Sequence, residues 1–217
     1  MTIQDLSLLE QLATVSLCQI ADGCGASVVV DTAIQPLDRS FRVYGPAYTV
    51  LCPADDNLTL HHALYLASPG QVLVVSGSGG DTAALWGELM SISAQARGFK
   101  GTIIDGPARD PQEIATLRYP VFARSIRARR ASKERYGSIG KPIHLSTLTV
   151  NNGDIVVADC HGVAVFPQQA LPKVVEQSLA VARKERELKQ ILGAGHTLFE
   201  FAKMSSLVPR PDCGGDA

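Results

Sequence analysis

Apolar residues recur at helical spacing between residues 5 and 22. Leu6, Leu9, Leu12 and Val15 are followed by Leu17, Ile20 and Ala21, and Gly23 and Gly25 close the run. Beyond it the pattern turns strand-like. Residues 27–30, 41–44 and 47–52 read as strands, punctuated by Pro36, Pro46 and Pro53. Residues 58–67 return to a helical pattern, with Asn57 placed to cap it. Ser68-Pro69-Gly70 turns the chain into a fully apolar strand at 72–75. A glycine-rich loop follows, Gly77-Ser78-Gly79-Gly80-Asp81. It leads to a helix with Leu89, Ile92 and Ala96 on one face and Gly98 past its end. Residues 101–104 form another buried strand. The stretch 114–150 is mixed, with strands expected near 121–122 and 144–150. Asn152-Gly153 is a hairpin-type turn signal between it and strands at 155–158 and 163–166. A charged helix spans 171–192, with Pro172 in its first turn and Gly193 past its end. Residues 205–217 hold two prolines and two glycines and read as a frayed tail.

This order of elements places an αβαβ core in the middle of the chain and gathers strands toward its end. It predicts the α/β class, as a layered sandwich rather than a fully alternating nucleotide-binding sheet. No repeat or domain-separating linker interrupts it. Residues 1–204 are therefore expected to form one domain that includes the 171–192 helix, with 205–217 flexible. A chain of 217 residues is long enough to bury a sizeable core.

Composition narrows the partners. The net charge is −1, which supplies no general attraction to nucleic acid or anionic membrane. No apolar run approaches the roughly 18 residues that span a bilayer. Met1-Thr2-Ile3-Gln4-Asp5 lacks the basic start of a secretory signal, and a cytoplasmic location is expected. The five cysteines, Cys18, Cys24, Cys52, Cys160 and Cys213, include no CxxC pair. They read as free thiols, with Cys52 and Cys160 packed as small hydrophobes in or beside apolar runs.

Three segments carry candidate chemistry. The loop 77–81 sits between a strand and a helix, where anions bind, but GxGxxG fails because Thr82 holds its third glycine position. No GK[ST] follows either. Nucleotide or S-adenosylmethionine binding is one reading, and a tight turn needing positive φ is the simpler one. In Trp86-Gly87-Glu88-Leu89-Met90, a helix beginning near Gly87 avoids an interior glycine. It leaves the amides of residues 87–90 free to cradle a carboxylate. The alternative is a glycine that lets Trp86 pack closely. The third segment runs from Asp105 through Arg109 and Asp110 to Glu113. Oxygen ligands there suit a hard divalent cation, and the guanidinium suits a carboxylate or a developing enolate. A plain salt-bridge cluster, Arg109 with Asp105 or Asp110, is the competing reading.

Taken together, Trp86-Gly87-Glu88-Leu89-Met90, Ala94, Arg97-Gly98, Gly101, Asp105-Gly106 and Arg109-Asp110 resemble a known family. So does Gly153-Asp154-Ile155-Val156-Val157-Ala158-Asp159 with Gly162-Val163. The family is that of the 4-hydroxy-4-methyl-2-oxoglutarate/4-carboxy-4-hydroxy-2-oxoadipate aldolases, which also contains the regulator of ribonuclease activity A. The likeness runs from about Leu12 to Gly195. Arg109-Asp110-Pro111-Gln112-Glu113 fits the Arg-Asp-x-x-Glu/Asp element of the catalytic members, which the regulators tend to lose. The resemblance implies an α/β/β/α sandwich akin to phosphohistidine swivelling domains, assembled as a homotrimer or homohexamer. It implies that Asp110 ligates Mg²⁺ or Mn²⁺ and that Arg109 contacts the substrate. The amides of Gly87, Glu88, Leu89 and Met90 would bind the pyruvyl carboxylate, and Glu88 would stand near a metal-bound water. Glu185 or Glu187 of a neighbouring subunit would approach the site.

The resulting expectation is a metal-dependent pyruvate aldolase for a small anionic 2-oxo acid, cleaving between C3 and C4. Oxaloacetate decarboxylation would accompany it, because both reactions pass through pyruvate enolate. A ribonuclease-regulator-like binding protein is the alternative. The basic segment Arg124, Arg127, Arg129, Arg130, Lys133 and Arg135 could serve it, or could be a solvated loop that draws in an anionic substrate. The global charge argues against nucleic acid as the main partner. His61-His62 has no partner of ligand type four residues on, and a metal role there is not expected.

Overall fold

The computed structural model describes residues 3–25, 28–66, 68–202 and 204. Residue 27 of the expected 27–30 strand, the end of the 58–67 helix at residue 67, the 205–217 tail and Cys213 lie outside these. The chain opens with α1 (Ile3–Leu12) and α2 (Leu17–Cys24), not the single helix its periodicity suggests. The break is a capping box. The Ser16 hydroxyl accepts from Gln19 N at 3.3 Å, and Gln19 Oε1 accepts from Ser16 N at 2.9 Å. Gly23 does not end the helix but lies inside α2. A Cβ there would come within 2.9 Å of the Gln177 carbonyl oxygen, so it is a close-packing glycine.

Two strands follow, β1 (Val29–Asp31) and the two-residue β2 (Gln35–Pro36), and then the long β3 (Val43–Leu51). The sequence suggested two strands broken at Pro46. β3 instead passes through Pro46 and changes its partner there, pairing residues 43–46 with one neighbour and 47–51 with another. Next come α3 (Leu58–Leu66), β4 (Val72–Ser76), α4 (Glu88–Ala96), β5 (Gly101–Ala108), α5 (Pro111–Leu117) and β6 (Val121–Ile126). The short β7 (Ser138–Ile139) precedes the hairpin of β8 (Ile143–Leu145) and β9 (Leu148–Val150), where one strand over 144–150 was expected. Ser146, at positive φ, makes the turn. β10 (Ile155–Asp159) and β11 (Gly162–Phe166) form a second hairpin. The chain closes with α6 (Leu171–Gly193) and the single turn α7 (Leu198–Phe201).

The strand order is β1-β11-β10-β3-β4-β5-β6-β2, with β7 added beside β3. β3 to β6 run parallel, joined by crossovers through α3, α4 and α5, and the remaining pairings are antiparallel. β2 comes back against β11, so the sheet curls into a nearly closed barrel. The mixed α/β class stands. The separate β layers expected of a sandwich are here joined in one continuous sheet.

Two apolar clusters hold this shape. In β10, Ile155 and Val157 face α1, α2 and α6 and pack with Leu12, Ile20, Leu171 and Val174. Val156 and Ala158, one residue out of phase, belong to the other cluster with Val50, Val74, Ile103 and Phe122. A strand buried on both faces must read as a continuous apolar run, which 155–158 does. Cys52 is buried, as expected, and burial pushes its thiol up to about 12. Cys160 does not pack as a hydrophobe: it is exposed in the turn between β10 and β11.

Candidate active site

The parallel strands β4 and β5 end side by side, and a crevice at such strand ends is where α/β folds place ligands. After β4 the chain returns along the end of β5. Leu85 N donates to Pro107 O at 2.9 Å, Trp86 bridges to Ala108, and Arg109 N donates to Trp86 O at 2.9 Å. On its other side, Ala84 N donates to Arg129 O at 2.7 Å and Ala131 N to Ala84 O at 3.1 Å. Residues 84–86 are thus stitched between β5 and the basic segment. They deliver Gly87 against Arg109 and Asp110.

Gly87 is the N-cap of α4, as the cost of an interior glycine suggested. Its φ of −162° is ordinary extended backbone, so the demand for glycine is spatial. A Cβ there would lie 2.6 Å from Asp110 Oδ2 and 3.0 Å from Arg109 Nε. Asp110 takes a left-handed conformation, φ 57°, at the start of α5, a geometry that Asp tolerates better than most residues. Its carboxylate does not cap α5. Oδ2 instead accepts from Glu88 N, in the first turn of α4, at 3.1 Å and lies 3.3 Å from Arg109 Nε. A carboxylate at that helix N-terminus is favourably placed. Among the described residues, Asp110 Oδ1 has no hydrogen-bond partner. The two side chains are 37 % and 33 % exposed, so the ion pair itself adds little stability.

A cleft of about 190 Å³ opens beside this junction, enough for a small acid. Gly87, Leu89, Met90 and Arg109 line it, together with Asn57, His61, Arg130 and Lys133. Three of these side chains are cationic. His61 stays below the usual imidazole value, first through burial and then through the Lys133 charge. The wall bearing Lys133 is anchored by Asp56. Burial alone would raise the pKa of this carboxyl. Hydrogen bonds from Ser132 Oγ at 2.6 Å and from the amides of Leu58, Glu134 and Arg135 outweigh it and hold the group well below the usual carboxylate range.

The structure brings Gly87, Leu89, Met90 and Arg109 to the cleft, with Asp110 pressed against Gly87. The Glu88 side chain does not line the cleft, and Glu88 reaches Asp110 through its amide. Asp105 does not join Arg109. β5 continues through Gly106-Pro107 to Ala108, and Asp105 Oδ1 pairs with Arg124 Nε at 2.5 Å while Oδ2 accepts from Ser146 N at 2.7 Å. Glu113 is exposed on α5. The glycines of 77–81 serve close packing and turning. A Cβ on Gly77 would meet Asp105 O at 2.9 Å, one on Gly80 would meet Asp55 N at 2.6 Å, and Gly79 has φ 76°. Asp81 closes that loop by pairing with Arg127 and Ser125.

Asn57 was missed. It reads as a cap, but its Nδ2 donates to Leu85 O at 2.9 Å, and its Oδ1 is buried without a partner among the described residues. The signal available was the preceding Asp56, which takes over the helix start by accepting from Leu58 N at 3.0 Å.

Residues 14–165 match the family model described as RraA-like, Aldolase/RraA. A protein of Halalkalibacterium halodurans named "Putative 4-hydroxy-4-methyl-2-oxoglutarate aldolase" is 30% identical over 178 residues, 82% of this chain and 85% of that protein. Among solved structures, an uncharacterized protein from Pseudomonas syringae pv. tomato superposes with a TM-score of 0.81 at 28% identity, covering 90% of this chain and 96% of its own. Streptomyces coelicolor RraAS2, described as an unusual member of the RNase ES inhibitor RraA protein family, shares the fold at a TM-score of 0.76 and 24% identity, covering 85% and 97% of the two chains.

The Gly87 contact makes a prediction that needs no substrate. Gly87→Ala should destabilise the protein by about 1 kcal/mol, because the added atom pushes the half-exposed Asp110 carboxylate off the Glu88 amide. Thermal melts of the two proteins check this. An unchanged melting temperature would show that the Asp110 carboxylate can step aside freely.

Proposed function

The chain belongs to the RraA-like, Aldolase/RraA family, and from that premise we propose that it is a divalent-metal-dependent pyruvate aldolase acting on 4-hydroxy-2-oxo acids, with oxaloacetate decarboxylation as a side activity. One observation carries this reading. Arg109 and Asp110 are held against a helix N-terminus at the edge of a small cationic cleft, which suits a small anionic acid. The substrate is of the 4-hydroxy-4-methyl-2-oxoglutarate or 4-carboxy-4-hydroxy-2-oxoadipate type.

The residues present fit a hard divalent cation. Mg²⁺ is commonly held by one or two carboxylates, with water and substrate completing its shell, and Asp110 Oδ1 is an oxygen donor without another partner. Bound there, Mg²⁺ or Mn²⁺ would supply Lewis acidity toward the 2-oxo acid. The first-turn amides of Leu89 and Met90, which have no acceptor four residues back in α4, bind the pyruvyl carboxylate. Arg130 and Lys133 draw the anionic substrate toward the cleft. Glu88, half-buried in the first turn of α4 and outside the cleft lining, takes up the proton of the C4 hydroxyl through an intervening water. As the C4 carbonyl forms, the C3–C4 bond breaks and its electron pair passes to C3. Arg109 stabilises the enolate charge that develops. Protonation at C3 then gives pyruvate. Oxaloacetate reaches the same enolate by losing CO₂.

We also propose that the working form is a homotrimer or homohexamer. Leu89, on the cleft lining, and Tyr65, in the hollow next to it, are 74% and 73% exposed, an apolar surface that a second subunit would cover. Glu185 is held by Gln19 Nε2 at 2.7 Å within its own chain, which leaves Glu187 the freer of the two glutamates to reach a neighbour. Sedimentation showing a fully active monomer would refute the shared site. A regulator-like binding role is the second reading. It is favoured by Arg129 and Arg130, which form no ion pair within 4 Å among the described residues.

Pyruvate release from a panel of 4-hydroxy-2-oxo acids and oxaloacetate, coupled to lactate dehydrogenase, tests the function. Turnover should require Mg²⁺ or Mn²⁺ and stop with excess chelator. No pyruvate from any member of the panel would favour the binding role. Arg109→Ala should lower kcat by roughly 10²–10³, as loss of one preorganised donor does. Arg109→Lys keeps the charge without the planar fork and should be partly active. A near-normal kcat in Arg109→Ala would reduce Arg109 to the salt-bridge partner of Asp110.

A further inference from the structure

Away from the cleft, the turn between β10 and β11 gathers Asp159, Cys160 and His161. Asp159 pairs with Gly162, which leaves Cys160 and His161 as the two turn residues. The turn is rigid on both sides. Asp159 Oδ2 accepts from Leu17 N, in the first turn of α2, at 2.9 Å, and Oδ1 accepts from His161 N at 2.9 Å. Gly162, at φ 130°, leaves no room for a Cβ, which would lie 2.3 Å from Asp31 O.

Three potential ligand atoms converge at this turn. His161 Nδ1 lies 3.0 Å from Asp159 Oδ1 and 3.5 Å from Cys160 Sγ, and all three lie within 4.8 Å of one another. In a tetrahedral zinc site, bonds of about 2.0–2.3 Å place sulfur about 3.6 Å from nitrogen and oxygen about 3.4 Å from nitrogen. The spacings found here are within a few tenths of an ångström of those edges.

Cys18, in the first turn of α2, is not among the converging ligand atoms; its thiol pKa is raised, first by burial and then by the charges of Asp159, Asp22, Cys160 and Glu185. Arg42 is the cation that also feels Asp159, but its Nη2 is committed to the carbonyls of Leu12 and Val15.

We propose that Asp159, Cys160 and His161, with water completing the shell, bind a borderline-soft divalent transition-metal ion, Zn²⁺ foremost, at the β10–β11 turn that the Asp159 carboxylate ties to the N-terminus of α2. Mixed sulfur, nitrogen and oxygen donors suit Zn²⁺, whereas the oxygen donor at Asp110 suits Mg²⁺. On binding, the Cys160 thiol proton passes to solvent, and His161 adopts the tautomer with its proton on Nε2. This site does not depend on the aldolase reading.

Co²⁺, a spectroscopic substitute for Zn²⁺, tests it. The reduced, metal-free full chain is titrated with Co²⁺ in excess Mg²⁺. The expected result is a saturable thiolate-to-cobalt charge-transfer band at one Co²⁺ per chain, bleached by Zn²⁺, with a higher melting temperature in Zn²⁺. Cys160→Ser and His161→Ala should abolish the band, and Asp110→Ala should leave it intact. No band in the wild type, or an undiminished band in Cys160→Ser, would overturn the proposal. A Zn²⁺-induced rise in melting temperature that survives in Cys160→Ser would also overturn it.

Discussion

The candidate site depends on one close approach, that of the Gly87 backbone to the side chains of Arg109 and Asp110. These residues come from different crossovers, one after β4 and one after β5. They meet because the amide of Leu85 and the carbonyl of Trp86 bond to the end of β5. What makes it a site is the missing Cβ at residue 87, which admits a carboxylate 3.1 Å from the first-turn amide of Glu88. The helix end, the carboxylate and the guanidinium are then preassembled by the backbone. Such preassembly is what electrostatic catalysis requires.

The cationic side of the cleft rests on a second buried element, Asp56. Its carboxylate gathers Ser132 and the amides of Glu134 and Arg135, and so holds the segment carrying Arg130 and Lys133 against α3. A fully buried carboxylate would be costly if it were unsatisfied. Here four hydrogen bonds to the charged form resolve that cost and set the position of the loop. Nothing in the cleft itself supplies that order. The site's two walls therefore trace to two carboxylates, Asp110 and Asp56, each bound by one amide at the start of a helix.

Much of this was legible where the cause is local. The apolar runs at 72–75, 101–104 and 155–158 are buried strands because each is covered on both faces. Gly87 marked the helix start because an interior glycine is unfavourable. What was not legible depends on contacts distant in sequence. Asp105 looks like a partner for Arg109, four residues on, yet it bonds Arg124 because β5 pairs with β6. Pro46 looks like a break, yet β3 runs through it because its pairing changes sides there. Asn57 reads as a helix cap and His61 as an ordinary helix residue, and only the return of residues 84–86 past them makes them part of a cleft. The Ser16–Gln19 capping box was the exception, a local signal hidden within a longer apolar periodicity.

The central claim is that the carboxylate pinned against Gly87 is the metal-binding group of a pyruvate-forming site. Electron paramagnetic resonance of Mn²⁺ titrated into the wild type and Asp110→Asn, with and without pyruvate, tests it most directly. The account predicts one Mn²⁺ per chain in the wild type, bound more tightly when pyruvate is present, and loss of both effects in Asp110→Asn. Equal Mn²⁺ binding by the two proteins, with no response to pyruvate, would contradict it.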